Sequence, residues 1–227
     1  MSIVIPALNE AGTLPLLLAD LKLLSFATQI IVVDGGSSDA TIEVAEALGA
    51  HCVRCAKGRG RQLRAGAAAA TAPILGFVHA DARLGSDARA QLHAIPESAN
   101  NVVRVFTLKV DSPRWPYRLV EAAAALRTRL FRMPYGDQGL FLSRALYDET
   151  GGFAEIPLME DVEMMRRLKG RARIVICAAT ITVSARRWER DGVWARSFRN
   201  VGLLIRWFMG ASPDKLASSY ERSRESR

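Results

Sequence analysis

Ile30-Ile31-Val32-Val33-Asp34 and Ile74-Leu75-Gly76-Phe77-Val78-His79-Ala80-Asp81 decide the fold of this chain. Each opens with a short apolar run, largely β-branched, and ends at a carboxylate. A strand apolar on both faces is buried on both faces, as in a parallel sheet covered by helices. Residues 3–5 read as an earlier strand of the same kind. It leads through Pro6-Ala7-Leu8-Asn9-Glu10 into an apolar helical stretch over about 13–24, with Asn9 or Thr13 as its cap. After Asp34, Gly35-Gly36-Ser37-Ser38-Asp39 introduces a helix over about 40–48, which Gly49 ends. A short strand at Cys52-Val53, a loop Lys57-Gly58-Arg59-Gly60-Arg61 and an alanine-rich helix through Ala70 complete the alternation. Strand and helix in strict succession predict an α/β protein with a Rossmann-like, mostly parallel sheet flanked by helices.

The rhythm changes after about residue 96. A longer strand reads over 102–108, an amphipathic helix over 116–131, a short strand over 139–142 and a turn at Gly151-Gly152. A helix over 161–169 and a strand over 174–176 follow, so a mixed half is expected to complete the sheet. Neither linker nor repeat separates the halves. The divisions drawn are 1–95, 96–190 and a basic helical region 191–227. Helix 192–210 is the most apolar stretch, yet too short and too basic to span a bilayer. Packing against the protein's own sheet is its simplest reading. Peripheral membrane contact or a homodimer is the alternative, because Trp194, Phe198, Trp207 and Phe208 sit among Arg196, Arg199 and Arg206.

A chain of 227 residues can bury on the order of 70% of its unfolded surface. Its 49% hydrophobic and 24% charged residues are ordinary for a globular protein. Met1-Ser2 runs directly into a strand with no leader, so the chain is expected to be cytoplasmic, with the inner membrane surface as the place where helix 192–210 would dock. The net charge is +8 and the pI about 9.9. Residues 184–227 hold ten Arg/Lys against five Asp/Glu, so a net +5 lies there. Such a balance favours phosphates or anionic headgroups; no repeated basic-aromatic signature points to nucleic acid, which is not expected as a partner. Cys52-x-x-Cys55 is half of a zinc site without its other half, and with Cys177 these are read as reduced, structural thiols.

In an open α/β sheet the ligand crevice lies beyond the carboxyl ends of the strands. Asp34 sits there, followed by residues rich in amides and hydroxyls, where a carboxylate can bind ribose hydroxyls or a base N–H. His79-Ala80-Asp81 leaves another strand at the same edge. Its alternate side chains offer a hard oxygen and an imidazole to Mg²⁺ or Mn²⁺, which would neutralise a diphosphate. Glu160-Asp161 opens a helix; by spacing alone it reads best as a cap complementing the helix dipole, with a general base as the alternative. Lys57, Arg59, Arg61 and Arg64 surround a glycine-containing loop at a helix start, an arrangement that suits phosphate or simply solubilises. The loop is neither a Walker loop nor G-x-G-x-x-G. Arg186-Arg187-Trp188 can grip a diphosphate or stack on a sugar or base, or form a surface loop.

Taken together, Ile3-Val4-Ile5-Pro6-Ala7-Leu8-Asn9-Glu10, Val32-Val33-Asp34-Gly35-Gly36-Ser37-Ser38-Asp39, His79-Ala80-Asp81 and Glu160-Asp161 resemble the family-2 inverting glycosyltransferases in content and order, over roughly residues 1–190. The resemblance implies a GT-A fold whose first half binds a UDP- or GDP-sugar and whose second half binds an unidentified hydroxyl acceptor. It places Pro6, Ala7, Glu10 and Asp34 around the nucleoside, with Arg61, Arg64 and Ala80 beside the donor. Asp81 matches the last carboxylate of the family's D-x-D metal motif, and His79 stands where its first Asp is usual. Asp161 matches the catalytic base, with Glu160 beside it. Arg186-Arg187-Trp188 is similar to an Arg-Trp motif over the diphosphate or acceptor. The size resembles a small soluble subgroup associated with arsenosugar biosynthesis.

Two rivals remain. A sugar-phosphate nucleotidyltransferase would carry a basic Gly-rich loop after its first strand, where this chain has Ala7-Leu8-Asn9-Glu10. A non-catalytic protein docking on membrane or nucleic acid would have no use for the Glu160-Asp161 pair.

Overall fold

The computed structural model describes residues 1–26, 28–95 and 101–225, with side chains through residue 220. The division drawn at residue 96 and the charges of 221–227 lie outside what is described. An eight-stranded mixed sheet runs through the protein. Its elements in chain order are β1 (Ser2–Ala7), α1 (Leu14–Lys22), β2 (Gln29–Asp34), α2 (Thr41–Ala47), β3 (His51–Arg54), α3 (Arg59–Ala69), β4 (Ile74–Phe77), β5 (Ala82–Leu84) and α4 (Ser86–His93). Then come β6 (Val102–Asp111), α5 (Trp115–Phe131), β7 (Leu140–Ser143), α6 (Arg144–Glu149), α7 (Glu160–Leu168), β8 (Arg173–Ser184), α8 (Arg186–Asp191), α9 (Val193–Phe208) and α10 (Pro213–Glu225). The strand order is β3-β2-β1-β4-β7-β6-β8-β5.

The first four strands in that order are parallel, as the apolar runs of β1, β2 and β4 predict. The sheet turns mixed at β7, which is antiparallel to both β4 and β6. Period-two alternation sends β1 side chains to two different cores. Ile3, Ile5 and Ala7 meet Leu14, Leu17, Leu18 and Leu21 of α1, while Val4 meets Leu63 and Ala67 of α3. The second core also takes Leu146 and Tyr147 of α6 and Val162, Met164 and Met165 of α7. Helix α3 lies close to the sheet because Gly66 faces it; a Cβ there would fall 2.2 Å from Val4 Cγ1 and 2.8 Å from Val33 Cγ2.

Several elements differ from expectation, among them α6, which forms where only a turn was expected. The strand expected over 174–176 runs on to Ser184, because Cys177, Ala179, Ile181 and Val183 alternate inward with more exposed neighbours. β5 and α4 occupy a stretch with no expected element. Asp20 of α1, itself buried, fastens β5 by accepting from Arg83 Nε at 2.6 Å, Arg83 Nη2 at 3.0 Å and the Leu84 N–H at 3.0 Å. The Arg186-Arg187-Trp188 stretch is the start of a short helix rather than a surface loop.

Candidate active site

The carboxyl ends of β1, β2 and β4 open on one edge, with Ala7 beside Asp34 in register. The loop after β1 is stitched to the loop after β2. Asn9, in the left-handed region at φ 56°, donates its N–H to Ser37 Oγ at 2.9 Å and accepts the Ser38 N–H at 2.8 Å. The Glu10 N–H donates to Thr41 Oγ1 at 2.9 Å. The Asp34 carboxylate, 3% exposed, accepts the Gly36 N–H at 2.9 Å, the Ser37 N–H at 3.1 Å and the Ser37 hydroxyl. It therefore shapes the loop beside which a ligand would lie. Beneath it, Gln62 of α3 donates from one amide nitrogen to Ala7 O at 2.7 Å and Val33 O at 2.8 Å, the last carbonyl of β1 and the next-to-last of β2.

A charged cluster faces these loops. Glu10 is buried, and its carboxylate accepts from Thr13 Oγ1 at 2.7 Å, from Arg187 Nη2 at 3.0 Å and from Arg186 Nη2. Arg187 Nε also lies 3.7 Å from Asp81 Oδ2. One turn at the start of α8 thus ties the first loop to the strand exit that carries Asp81.

The third component is a small cavity of about 20 Å³, room for roughly one water molecule, between the strand exits and α7. Its wall includes His79, Tyr135, Gly136, Arg59, Glu160 and Asp161. Gly136 opens the 3-10 turn Gly136–Gln138, and a Cβ on it would lie 2.9 Å from His79 Nε2 and 3.6 Å from Asp161 Oδ2. A glycine there lets the imidazole approach the turn, while the carboxylate stands at ordinary contact distance. Asp161 accepts the Gly136 N–H at 3.0 Å and the Val162 N–H at 2.7 Å. Met159, just before α7, is held at φ 69°, an uncommon conformation for a residue with a side chain. Gln138 anchors the turn, donating to Phe106 O at 2.9 Å and accepting from Thr128 Oγ1 at 2.9 Å.

Burial sets the protonation states here. The Glu160 carboxyl, 3% exposed, is pushed up to about 7 by burial and then by the adjacent Asp161, against the pull of Arg59, whose Nε is 3.6 Å away. His79 is held well below its ordinary 6.5 by burial and by the positive charges of Arg59 and Arg187, so its imidazole is neutral. The Asp137 carboxyl is raised by burial, opposed by Arg127 and Arg59 and reinforced by Asp161 and Asp81; its Oδ1 is shut from solvent with no hydrogen-bond partner. The Tyr135 phenol is pushed up to about 12, chiefly by burial, while the guanidinium of Arg127 covers its ring at 3.4 Å from the centroid.

Of the expected residues, Pro6, Ala7, Glu10, Asp34, His79, Ala80, Asp81, Glu160, Asp161, Arg186 and Arg187 come from the strand exits, α7 and the start of α8 that enclose this region. Three point elsewhere. Arg61 and Arg64 lean on Glu155 at 3.8 and 3.6 Å, and Arg64 also donates to Gly151 O and Phe153 O. Helical geometry explains this: Arg59, two residues earlier, takes the inward position beside Glu160. The Trp188 ring packs edge-on against Tyr117, centroids 6.4 Å apart, under the Arg196 guanidinium. It sits as a wedge behind Arg187. Arg59, weighed from the sequence as one of four basic residues suited to phosphate, takes the place beside Glu160, and Gln62, Arg127, Tyr135 and Asp137 join the site without having been expected there. The one local signal was Gly136-Asp137-Gln138, a polar run immediately before an apolar strand.

Among the described residues no three His, Cys, Asp or Glu side chains converge to hold a metal ion. Asp81 and the neutral His79 supply one hard oxygen and one imidazole, a donor pair compatible with Mn²⁺ or Mg²⁺ when a diphosphate and water complete the shell.

The family model for glycosyl transferase family 2 matches residues 2–155. An uncharacterized glycosyltransferase of Mycobacterium tuberculosis (strain ATCC 25618 / H37Rv) is 32% identical over 142 residues, covering 60% of this chain. The chain spans about 63% of the length of the curated relatives it matches. The fold is shared with S. aureus TarS 1–349 in complex with UDP, at a TM-score of 0.64 and 18% identity, covering 100% of this chain and 72% of that one. It is shared too with the mannosyltransferase PcManGT from Pyrobaculum calidifontis in complex with GDP-Man and Mn²⁺, at a TM-score of 0.61 and 14% identity, covering 80% of this chain and 55% of that one. The expected GT-A sheet is therefore the one observed.

Proposed function

The chain belongs to glycosyl transferase family 2, and on that footing we propose that it transfers a sugar from a UDP- or GDP-sugar to an acceptor hydroxyl with inversion, Asp161 acting as general base. The observation that carries this reading is the placement of Asp161 at the start of α7, across Gly136 from the strand exit that bears His79 and Asp81. The donor's nucleoside lies along the loops that Asp34 and Glu10 organise, and its diphosphate lies toward Asp81. Arg186 and Arg187, now on Glu10 and Asp81, turn to the diphosphate as its negative charge grows. A divalent cation held by Asp81 and His79 would supply further positive charge there. Asp161 takes the proton of the acceptor hydroxyl; the oxygen attacks the anomeric carbon as its bond to the diphosphate breaks. Helix α9 is the contact face, toward a membrane or a second copy.

Calorimetric titration with UDP and GDP, each with and without Mn²⁺, tests the donor assignment. Binding of one nucleotide, strengthened by the metal, is expected; no binding of either in both conditions refutes it. Asp161→Asn is expected to keep that binding and lower transfer by roughly 10²–10⁴-fold. Near-normal turnover would reduce Asp161 to a helix-terminal carboxylate.

A further inference from the structure

We propose that α5 and α9 together form a docking face for the surface of an anionic phospholipid bilayer. Trp194, Phe198, Val201, Ile205 and Phe208 recur along one side of α9 at helical spacing, and that side faces solvent, Phe198 being 72% exposed. The opposite side fastens the helix. Arg196 and Arg199 each donate to buried Asp191 at 2.8 Å, and Leu203 is buried. An ordinary surface helix hides its apolar stripe and shows its charges; α9 does the reverse. The arginines among its aromatic residues, which the sequence places at the contact, are thus turned inward in two cases of three.

Helix α5 has the same inversion. Tyr117, Ala124 and Thr128 point into the protein, and Trp115, Leu119, Leu126 and Leu130 point out. The Trp115 and Trp194 rings meet at 6.0 Å, which joins the two stripes into one surface. Eleven of the thirteen exposed large apolar side chains among the described residues lie on these helices or at the end of α9, so the exposure is a patch and not scatter.

The charge around the patch selects the occupant. The one acid on the two helices is Glu121, occupied by Arg118 at 3.0 Å and by the Val110 N–H at 2.7 Å. The exposed charges on the two helices and at the residues adjoining α5 are Arg114, Arg118, Arg129, Arg132 and Arg206; the nearest exposed acids, Asp111, Glu189 and Asp214, lie three or more residues beyond the helix ends. Two copies packed face to face would set this cationic rim against itself. A layer of anionic headgroups over acyl chains satisfies both the cations and the apolar stripes. No helix among the described residues is long and apolar enough to cross a membrane, so the contact is peripheral. Trp188 of α8 lies between Tyr117 of α5 and Arg196 of α9, which sets the face one short helix from Arg186 and Arg187. The inference deepens the contact reading of α9 and is independent of the transfer chemistry, since vesicle binding and nucleotide binding are measured separately.

Co-sedimentation of the full chain with phosphatidylcholine vesicles, with and without phosphatidylglycerol and at low and high salt, tests it. Binding is expected to vesicles containing phosphatidylglycerol and to weaken with salt. Phe198→Glu with Ile205→Glu is expected to weaken it roughly tenfold or more, as is the charge reversal Arg118→Glu with Arg129→Glu. Each variant is checked for retained fold by its melting curve. No sedimentation with anionic vesicles, equal sedimentation with neutral ones, or variants that bind like the parent overturns the proposal. A dimer in light scattering that Phe198→Glu dissociates, without vesicle binding, also overturns it and assigns the face to a second copy.

Discussion

Glu160→Gln isolates a cost that the structure places on one carboxyl. In the folded protein Glu160 titrates near 7, against an ordinary value of 4.5, because it is buried beside Asp161. A carboxyl raised on folding binds its proton more tightly in the native than in the unfolded state. Its stabilising contribution is therefore complete below about 4.5 and is lost as pH rises through about 7. At about 1.4 kcal/mol per unit, the shift amounts to about 3 kcal/mol between acid and mildly alkaline solution. For a chain of this size that is roughly 6–12 °C in Tm. His79 acts in the opposite sense: it is kept neutral, so its contribution is lost as pH falls below its ordinary 6.5. The wild-type curve alone mixes the two effects. The difference between wild type and Glu160→Gln removes His79 and leaves Glu160. Urea or thermal unfolding of both proteins, from about pH 4.5 to about pH 8, should show the wild type losing about 3 kcal/mol relative to the variant. A difference that stays constant across that range would refute the reasoning and mean that Glu160 is ionised throughout.

Asp137→Asn should remove a pH dependence: burial raises the Asp137 carboxyl, so the parent should lose stability relative to the variant as pH rises above the ordinary carboxylate range, read from melting curves of both proteins. A difference in Tm that stays constant with pH would mean that burial does not raise this carboxyl. Gly66→Ala should destabilise the fold by about 1–3 kcal/mol, because the added Cβ would overlap Val4 Cγ1; a melting curve unchanged from the parent would mean that α3 is free to lift from the sheet.

The parallel half of the sheet was legible because burial on both faces leaves a local mark. The runs at Ile31, Val32 and Val33 and at Ile74 and Leu75 have no polar residue to assign to solvent. The second half of β8 left almost none. Cys177, Ala178, Ala179 and Thr180 are small or weakly apolar, and their alternation shows only once β5 and β6 flank them. Local sequence likewise marks which carboxylates stand at strand exits, as with Asp34 and Asp81, since exit positions follow from strand ends.

It does not mark which charge faces inward on a helix start. Arg59, Arg61 and Arg64 are equivalent as letters, and only the packing of α3 against β1 and β2 turns Arg59 toward Glu160 and the other two toward Glu155. Asp137 is the extreme case. Its environment comes from Arg127 on α5, Asp161 on α7, Arg59 on α3 and Asp81 after β4, four segments with no adjacency in sequence. A buried carboxylate oxygen without a partner costs free energy in the free protein. The surrounding anchors, with Gln138 bound to Phe106 O and Thr128, hold it there anyway. The residue least legible in the sequence is thus the one whose burial is assembled from four separate segments.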